Sequence, residues 1–140
     1  MLDSLAARYK DKPNLEWDYE RENIYSLANA DIMISDFSGI IYDYAFLFDK
    51  PVMYVNQGFD MRPYDADDLG PDAQEKLWQF KTLREIGIEL KEEEFGGIGN
   101  IIRNASDSEE LRKARLAAKN TAWQYPGEAG KRIADFLINR

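Results

Sequence analysis

The chain contains neither cysteine nor histidine in its 140 residues. Without cysteine there is no disulfide framework and no thiolate metal site. Without histidine the commonest general base and the commonest metal ligand are both missing. Basic residues are scarce: 18 Lys and Arg stand against 26 Asp and Glu, for a net charge of -8. The resulting pI near 4.6 argues against nucleic acid as a partner. The ordinary reading of the acidity is solubility. No apolar run is long enough to span a bilayer, and the amino end has no signal-peptide pattern. A reducing, cytoplasmic setting is therefore the expectation. Internal repeats and low-complexity linkers are also lacking. What remains is the length of one ordinary domain, with enough aliphatic and aromatic residues to bury a core.

The centre of the chain is residues 30–56. Ile32 to Ile34 is a short apolar run that predicts a strand buried on both faces. Ser35 to Gly39 supplies turn residues. Ile40, Ile41, Tyr44, Ala45, Leu47 and Phe48 follow at helical spacing, and Pro51 separates that helix from a second strand, Val52 to Val55. Strand, helix and strand with short connections imply a parallel crossover. Before this unit the pattern predicts an amphipathic helix over 1–10, a strand at Leu15–Asp18, and a helix from Ile24 to Asn29 capped by Asn23. After it, Gln57 to Gly70 reads as a loop. A helix then opens at Pro71–Asp72, buries Leu77, Phe80, Leu83 and Ile86, and closes at Gly87. Ile88 to Leu90 reads as an edge strand. Residues 92–103 keep helical spacing despite three glycines. Ser106 or Asp107 should cap a helix reaching Trp123. The last helix, Glu128 to Asn139, should turn Ile133, Phe136, Leu137 and Ile138 inward. The alternation in the first half predicts an α/β fold with a parallel sheet, followed by a helix-rich carboxyl-terminal part.

In such a unit the carboxyl end of the strand meets the amino end of the helix, where free backbone N–H groups attract anions. Ser38 and Gly39 stand there, and they either line a phosphate site or simply cap and turn the chain. Asp43, five residues after Ser38, either faces the same crevice and accepts from ribose hydroxyls or is a solvated carboxylate. Asp36 either orients the turn through backbone N–H bonds or touches substrate. Arg62 is the cation in the following loop, free to meet a phosphate or to serve as a surface charge. A second glycine turn, Pro126 to Arg132, opens the last helix. The run Glu92 to Glu94 is a solvated helix start, not a metal site. No cofactor is implied.

The stretch Asn29-Ala30-Asp31-Ile32-Met33-Ile34-Ser35-Asp36-Phe37-Ser38-Gly39-Ile40-Ile41-Tyr42-Asp43-Tyr44-Ala45, with Lys50-Pro51-Val52-Met53-Tyr54, resembles the signature of the CDP-glycerol glycerophosphotransferase family. Gly127-Glu128-Ala129-Gly130-Lys131-Arg132-Ile133 resembles a second turn of that family. The likeness is dense over 23–65 and thinner over 106–138. It differs at Phe37, where tyrosine is commoner, at Gly39, where a second serine is usual, and at Pro126 and Gly130, which replace Asp and Ser. The family's histidines are absent, one from a histidine–proline pair and one from an amino-terminal domain.

The resemblance implies the carboxyl-terminal half of a GT-B enzyme: a Rossmann-like parallel sheet with helices on both faces, here one truncated domain over 1–140. It implies that Ser38 and Gly39 contact the diphosphate of a CDP-linked polyol donor, that Asp43 lies near the ribose, and that Gly127 and Ala129 border the same crevice. The expected partners are that donor, a polymer or lipid-linked acceptor, and the amino-terminal domain of the same enzyme. The expected product belongs to teichoic-acid-like bacterial cell-surface polymers. Any contact with the inner face of the cell membrane would come from other segments of the full-length protein. The catalytic base would lie outside this chain, which alone should not turn over. Two alternatives remain: a UDP-sugar glycosyltransferase or 2-epimerase of the same architecture, and a non-catalytic nucleotide-binding fragment.

Overall fold

Three short strands form a parallel sheet in the order β1-β2-β3. β1 (Met33–Ser35), β2 (Val52–Tyr54) and β3 (Gly87–Glu89) align so that Met33, Val52 and Gly87 lie side by side, as do Ile34, Met53 and Ile88. The structure, a computed structural model, describes residues 2–36, 38–55, 70 and 76–139. Among these are seven α-helices: α1 (Leu2–Tyr9), α2 (Ile24–Asn29), α3 (Ile40–Phe48), α4 (Trp78–Ile86), α5 (Ile98–Asp107), α6 (Glu109–Ala122) and α7 (Ala129–Ile138). The chain divides into two compact units, Met1–Ala30 and Asp31–Arg140.

The first unit holds α1 and α2. The strand expected at Leu15–Asp18 does not form. Asp18 instead closes a local turn, accepting the Glu20 N–H at 2.8 Å and the Ser26 hydroxyl. Side chains of this kind compete with strand pairing for the backbone. The two bonds, that from Ser26 foremost, hold the Asp18 carboxyl below its ordinary pKa. Asn23 occupies the cap position of α2 but makes no side-chain cap bond.

The second unit holds the sheet. β2 is central, with Val52, Met53 and Tyr54 all buried, so both of its faces are covered. β1 departs from expectation: Ile34 is 47% exposed because β1 is an edge strand among the described residues. α3 buries Ile41, Tyr44, Ala45 and Phe46, leaving Leu47 exposed. α4 buries Phe80, Leu83 and Ile86 as its spacing predicts; the expected helix start at Pro71–Asp72 lies outside the described residues. α6 packs against both α3 and α4. Gly87 ends α4 and begins β3 at once. A Cβ there would meet the Val52 Cγ2 at 3.1 Å and the carbonyl oxygens of Leu83 and Val52 at 3.2 Å, so close approach requires the glycine.

Three further expectations are corrected. The helix at 92–103 splits into a 3-10 segment, Glu92–Gly97, followed by α5, since glycine weakens the α-helical start. α5 runs on through Ser106 and Asp107, and Ser108 caps α6, accepting the Leu111 N–H at 3.2 Å. The Ser106 hydroxyl donates back to the Ile102 carbonyl at 2.9 Å. In α7 the apolar face is not buried: Ile133, Phe136, Leu137 and Ile138 are 57–80% exposed. The whole is a helix-rich α/β fold with a small open parallel sheet, of the Rossmann-like kind expected.

Candidate functional site

Asp36 leaves β1 and immediately bends the chain. Its Oδ1 accepts the Ser38 N–H at 2.8 Å, and the Ser35 hydroxyl approaches the same oxygen at 3.4 Å. A carboxylate accepting from the backbone two residues on makes a compact turn without a long loop. The first turn of α3 is then tight. The Ile41 N–H donates to the Ser38 carbonyl at 3.1 Å, and the Tyr42 N–H to the Gly39 carbonyl at 3.0 Å. Among the described residues, the N–H groups of Gly39 and Ile40 and the hydroxyl of Ser38 have no hydrogen-bond partner. These donors sit at the positive end of the α3 dipole and at the carboxyl edge of a parallel sheet, where an anion is stabilised.

Gly39, not Ser38, holds the cap position of α3, and no side chain caps the helix. Its φ of -56° is helical, and a Cβ on it would touch nothing within 4 Å. The glycine therefore keeps the backbone open to an approaching ligand; the turn itself does not demand it. Asp43 lies exposed in the first turn of α3, without a hydrogen bond or ion pair among the described residues. The structure thus gathers Asp36, Ser38, Gly39 and Asp43 at one end of one helix.

Gly127 and Ala129 begin a separate turn. Gly127 has φ of 76°, and Tyr125 before it has φ of 57°. The Glu128 N–H closes the turn onto the Tyr125 carbonyl at 3.0 Å. Arg132 stacks over the Tyr125 ring at 3.7 Å and pairs with Glu128 at 3.0 Å. No hydrogen bond or ring contact among the described residues joins this turn to the one before α3. Arg62 lies outside the described residues.

Two aromatic residues, Tyr42 and Trp78, meet beside the α3 turn. The Tyr42 ring packs on Trp78 at 5.5 Å and on Phe46 at 6.0 Å, and its hydroxyl donates to the Gln79 carbonyl. Burial, with a smaller effect from Tyr54, raises the Tyr42 pKa to about 12. Their signal in the sequence was weak, because the partners are 36 residues apart and share no motif.

The other end of α3 is locked. Asp49 ends the helix in the left-handed region, φ 51°. Arg115 of α6 is 4% exposed and donates through Nε to Asp49 Oδ1 at 3.2 Å and through a terminal nitrogen to the Asp49 carbonyl at 3.1 Å. Arg112 adds a looser contact to the same carboxylate at 3.6 Å. A cation at a helix carboxyl end also meets the negative end of the dipole. Tyr44, fully buried nearby, has its pKa raised to about 12 by burial first and by Asp31 second, against the opposing pull of Arg115.

The family model for CDP-glycerol:poly(glycerophosphate) glycerophosphotransferase matches residues 6–138. The chain belongs to this family. The match takes in the β1 turn, all of α3 and the turn before α7, and it makes the chain a member of a transferase family. Neither the curated proteins nor the solved structures searched gave a significant match. Among the described residues, no acidic cluster is arranged to hold a metal ion, and no helix is long and apolar enough to cross a membrane.

Proposed function

We propose that the chain is the donor-binding part of a GT-B-type glycerophosphotransferase, and that the turn from Asp36 to Gly39 receives the diphosphate of CDP-glycerol or a related CDP-polyol. One observation carries the reading: donors at Ser38, Gly39 and Ile40 that have no partner among the described residues open the helix that follows a parallel strand, in a chain that matches this family along 6–138. Asp43, exposed on the same first turn, would accept from the ribose hydroxyls. In the reaction, the terminal hydroxyl of a phosphopolyol acceptor attacks the donor's β-phosphorus in line. A new oxygen–phosphorus bond forms, the bond to the CMP oxygen breaks, CMP leaves, and a base takes the hydroxyl proton. Positioning and charge stabilisation supply most of the rate. The base would come from outside this histidine-free sequence, in the partner domain of a cell-surface polymer enzyme.

The test is calorimetry of the chain with CDP, CMP and UDP. Binding of CDP, with Ser38→Ala weakening it about tenfold for the loss of one hydrogen bond to a charged group, supports the reading. A clear preference for UDP points instead to a nucleotide-sugar enzyme. Turnover of labelled CDP-glycerol onto a glycerophosphate primer by these 140 residues alone would show that the base lies within them.

A further inference from the structure

α4 and α6 pack against each other, yet a hollow of about 300 Å³ lies between them. That is the lower end of the range for ligand pockets, roughly 300–1,000 Å³, and suits one small molecule. The hollow exists because α6 presents alanines, Ala117 among them, opposite long side chains of α4. No residue of the Asp36–Gly39 turn lines it, so it is separate from the phosphate site.

Its polar groups point to a ligand. Thr82 is 3% exposed, and its hydroxyl has no hydrogen-bond partner among the described residues. A buried hydroxyl in that state carries a desolvation penalty that a ligand's hydrogen bond would lift. Lys81 and Glu85 stand one turn apart on α4, both lining the hollow, and make no ion pair or hydrogen bond among the described residues. The Thr121 hydroxyl donates to the Ala117 carbonyl at 3.0 Å, which leaves its oxygen able to accept. Trp78 closes one end and is 44% exposed. Its ring is held by Tyr42 at 5.5 Å, so a ligand resting on it immobilises little further side chain.

These groups set three demands. The charges of Lys81 and Glu85 cancel, which favours neither an anion nor a cation. Donors and acceptors stand side by side, which fits groups that both donate and accept, as hydroxyls do. The indole face takes an apolar surface at the end of the hollow. We propose that the hollow between α4 and α6 binds a neutral polyhydroxylated unit of about six carbons, a monosaccharide or a linear polyol. Trp78 lies against its C–H face, and Lys81, Thr82 and Glu85 meet its hydroxyls. The site goes beyond the donor-site reading and does not depend on it.

The experiment titrates the native chain, Thr82→Val and Ala117→Leu with glucose, with sorbitol and with CDP, followed by tryptophan fluorescence and saturation-transfer NMR. Thr82→Val keeps the shape and removes the hydroxyl. Ala117 is exposed, so Ala117→Leu fills the hollow without entering the core. Circular dichroism checks that each variant is folded. The expected result is saturable binding of glucose or sorbitol to the native protein, weakened about fivefold in Thr82→Val for the loss of one hydrogen bond. Ala117→Leu should abolish it, and CDP affinity should be the same in all three proteins. Binding of glucose alone assigns a ring sugar, and of sorbitol alone an open-chain polyol. Binding of neither to the native protein overturns the proposal. So does binding that a folded Ala117→Leu leaves intact, because the ligand then sits elsewhere. A matching loss of CDP affinity in the variants overturns it too, by making the hollow part of the donor site. Polyol binding as expected, with no CDP binding to any of the three, upholds this proposal and counts against the donor-site reading alone.

Discussion

Gly39 and Gly127 open two helices and are glycine for different reasons. At Gly39 the backbone is helical and a side chain would meet open space. At Gly127 φ is 76°, where an L-residue is strained whatever the space around it. Gly39→Ser should therefore leave stability within about 0.5 kcal/mol of native, whereas Gly127→Ala should cost about 1–2 kcal/mol. Urea midpoints at constant m-value measure both. Equal midpoints for the two variants would show that the turn before α7 relaxes freely. The tyrosines make a second residue-scale prediction. Tyr42 and Tyr44 ionise near 12 in the folded chain, raised by burial, against an ordinary value of 10. Between those values the unfolded chain has released protons that the native chain keeps. Their contribution is thus full below pH 10 and is lost as pH rises toward 12. Thermal melts across that range should fall in native protein, and less steeply in Tyr42→Phe.

At the scale of elements, the helices are set by their ends as much as by their faces. Ser106, Asp107 and Ser108 are all plausible caps by composition. The structure uses Ser108, because α5 carries on long enough to bury Ala105. Ser108→Ala should cost about 1 kcal/mol, and Ser106→Ala much less, since the Ser106 hydroxyl only bonds back along its own helix. A thermal-shift comparison decides, and the reverse order would place the cap elsewhere. The Arg115–Asp49 contact ties α6 to the carboxyl end of α3. One guanidinium nitrogen of Arg115 is buried without a partner among the described residues, so the pair is not an ideal ion pair. Asp49→Ala leaves a buried cation short of its carboxylate and keeps a left-handed backbone without a glycine. It should cost about 3 kcal/mol. Replacing both members, Arg115→Met with Asp49→Gly, should recover most of that loss in denaturant melts. A double variant as unstable as the single one would mean that packing, rather than charge, sets the cost.

At the scale of the whole molecule, the arrangement separates a rigid end from an open one. The α3 carboxyl end is gripped by α6, while its amino end presents donors that have no partner among the described residues, beside an exposed tryptophan. Function on a parallel sheet collects at the carboxyl edge of the strands, which is where the open end lies. The family match over 6–138 takes in both ends of this helix and makes the chain a member of a transferase family.

By itself the sequence determined the parallel strand–turn–helix unit, because apolar runs, a proline and a serine–glycine turn are local signals. It determined the buried face of α4 for the same reason, and Asp36 as a possible organiser of its own turn. Only the tertiary structure decided that Ile34 lies on an exposed edge and that the apolar face of α7 is uncovered, since burial depends on which neighbours arrive. Only it placed Trp78 against Tyr42 and Arg115 against Asp49, pairs 36 and 66 residues apart. Such contacts carry no pattern along the chain: the first arises because parallel strands bring the starts of successive helices to one edge, the second because α6 packs across α3.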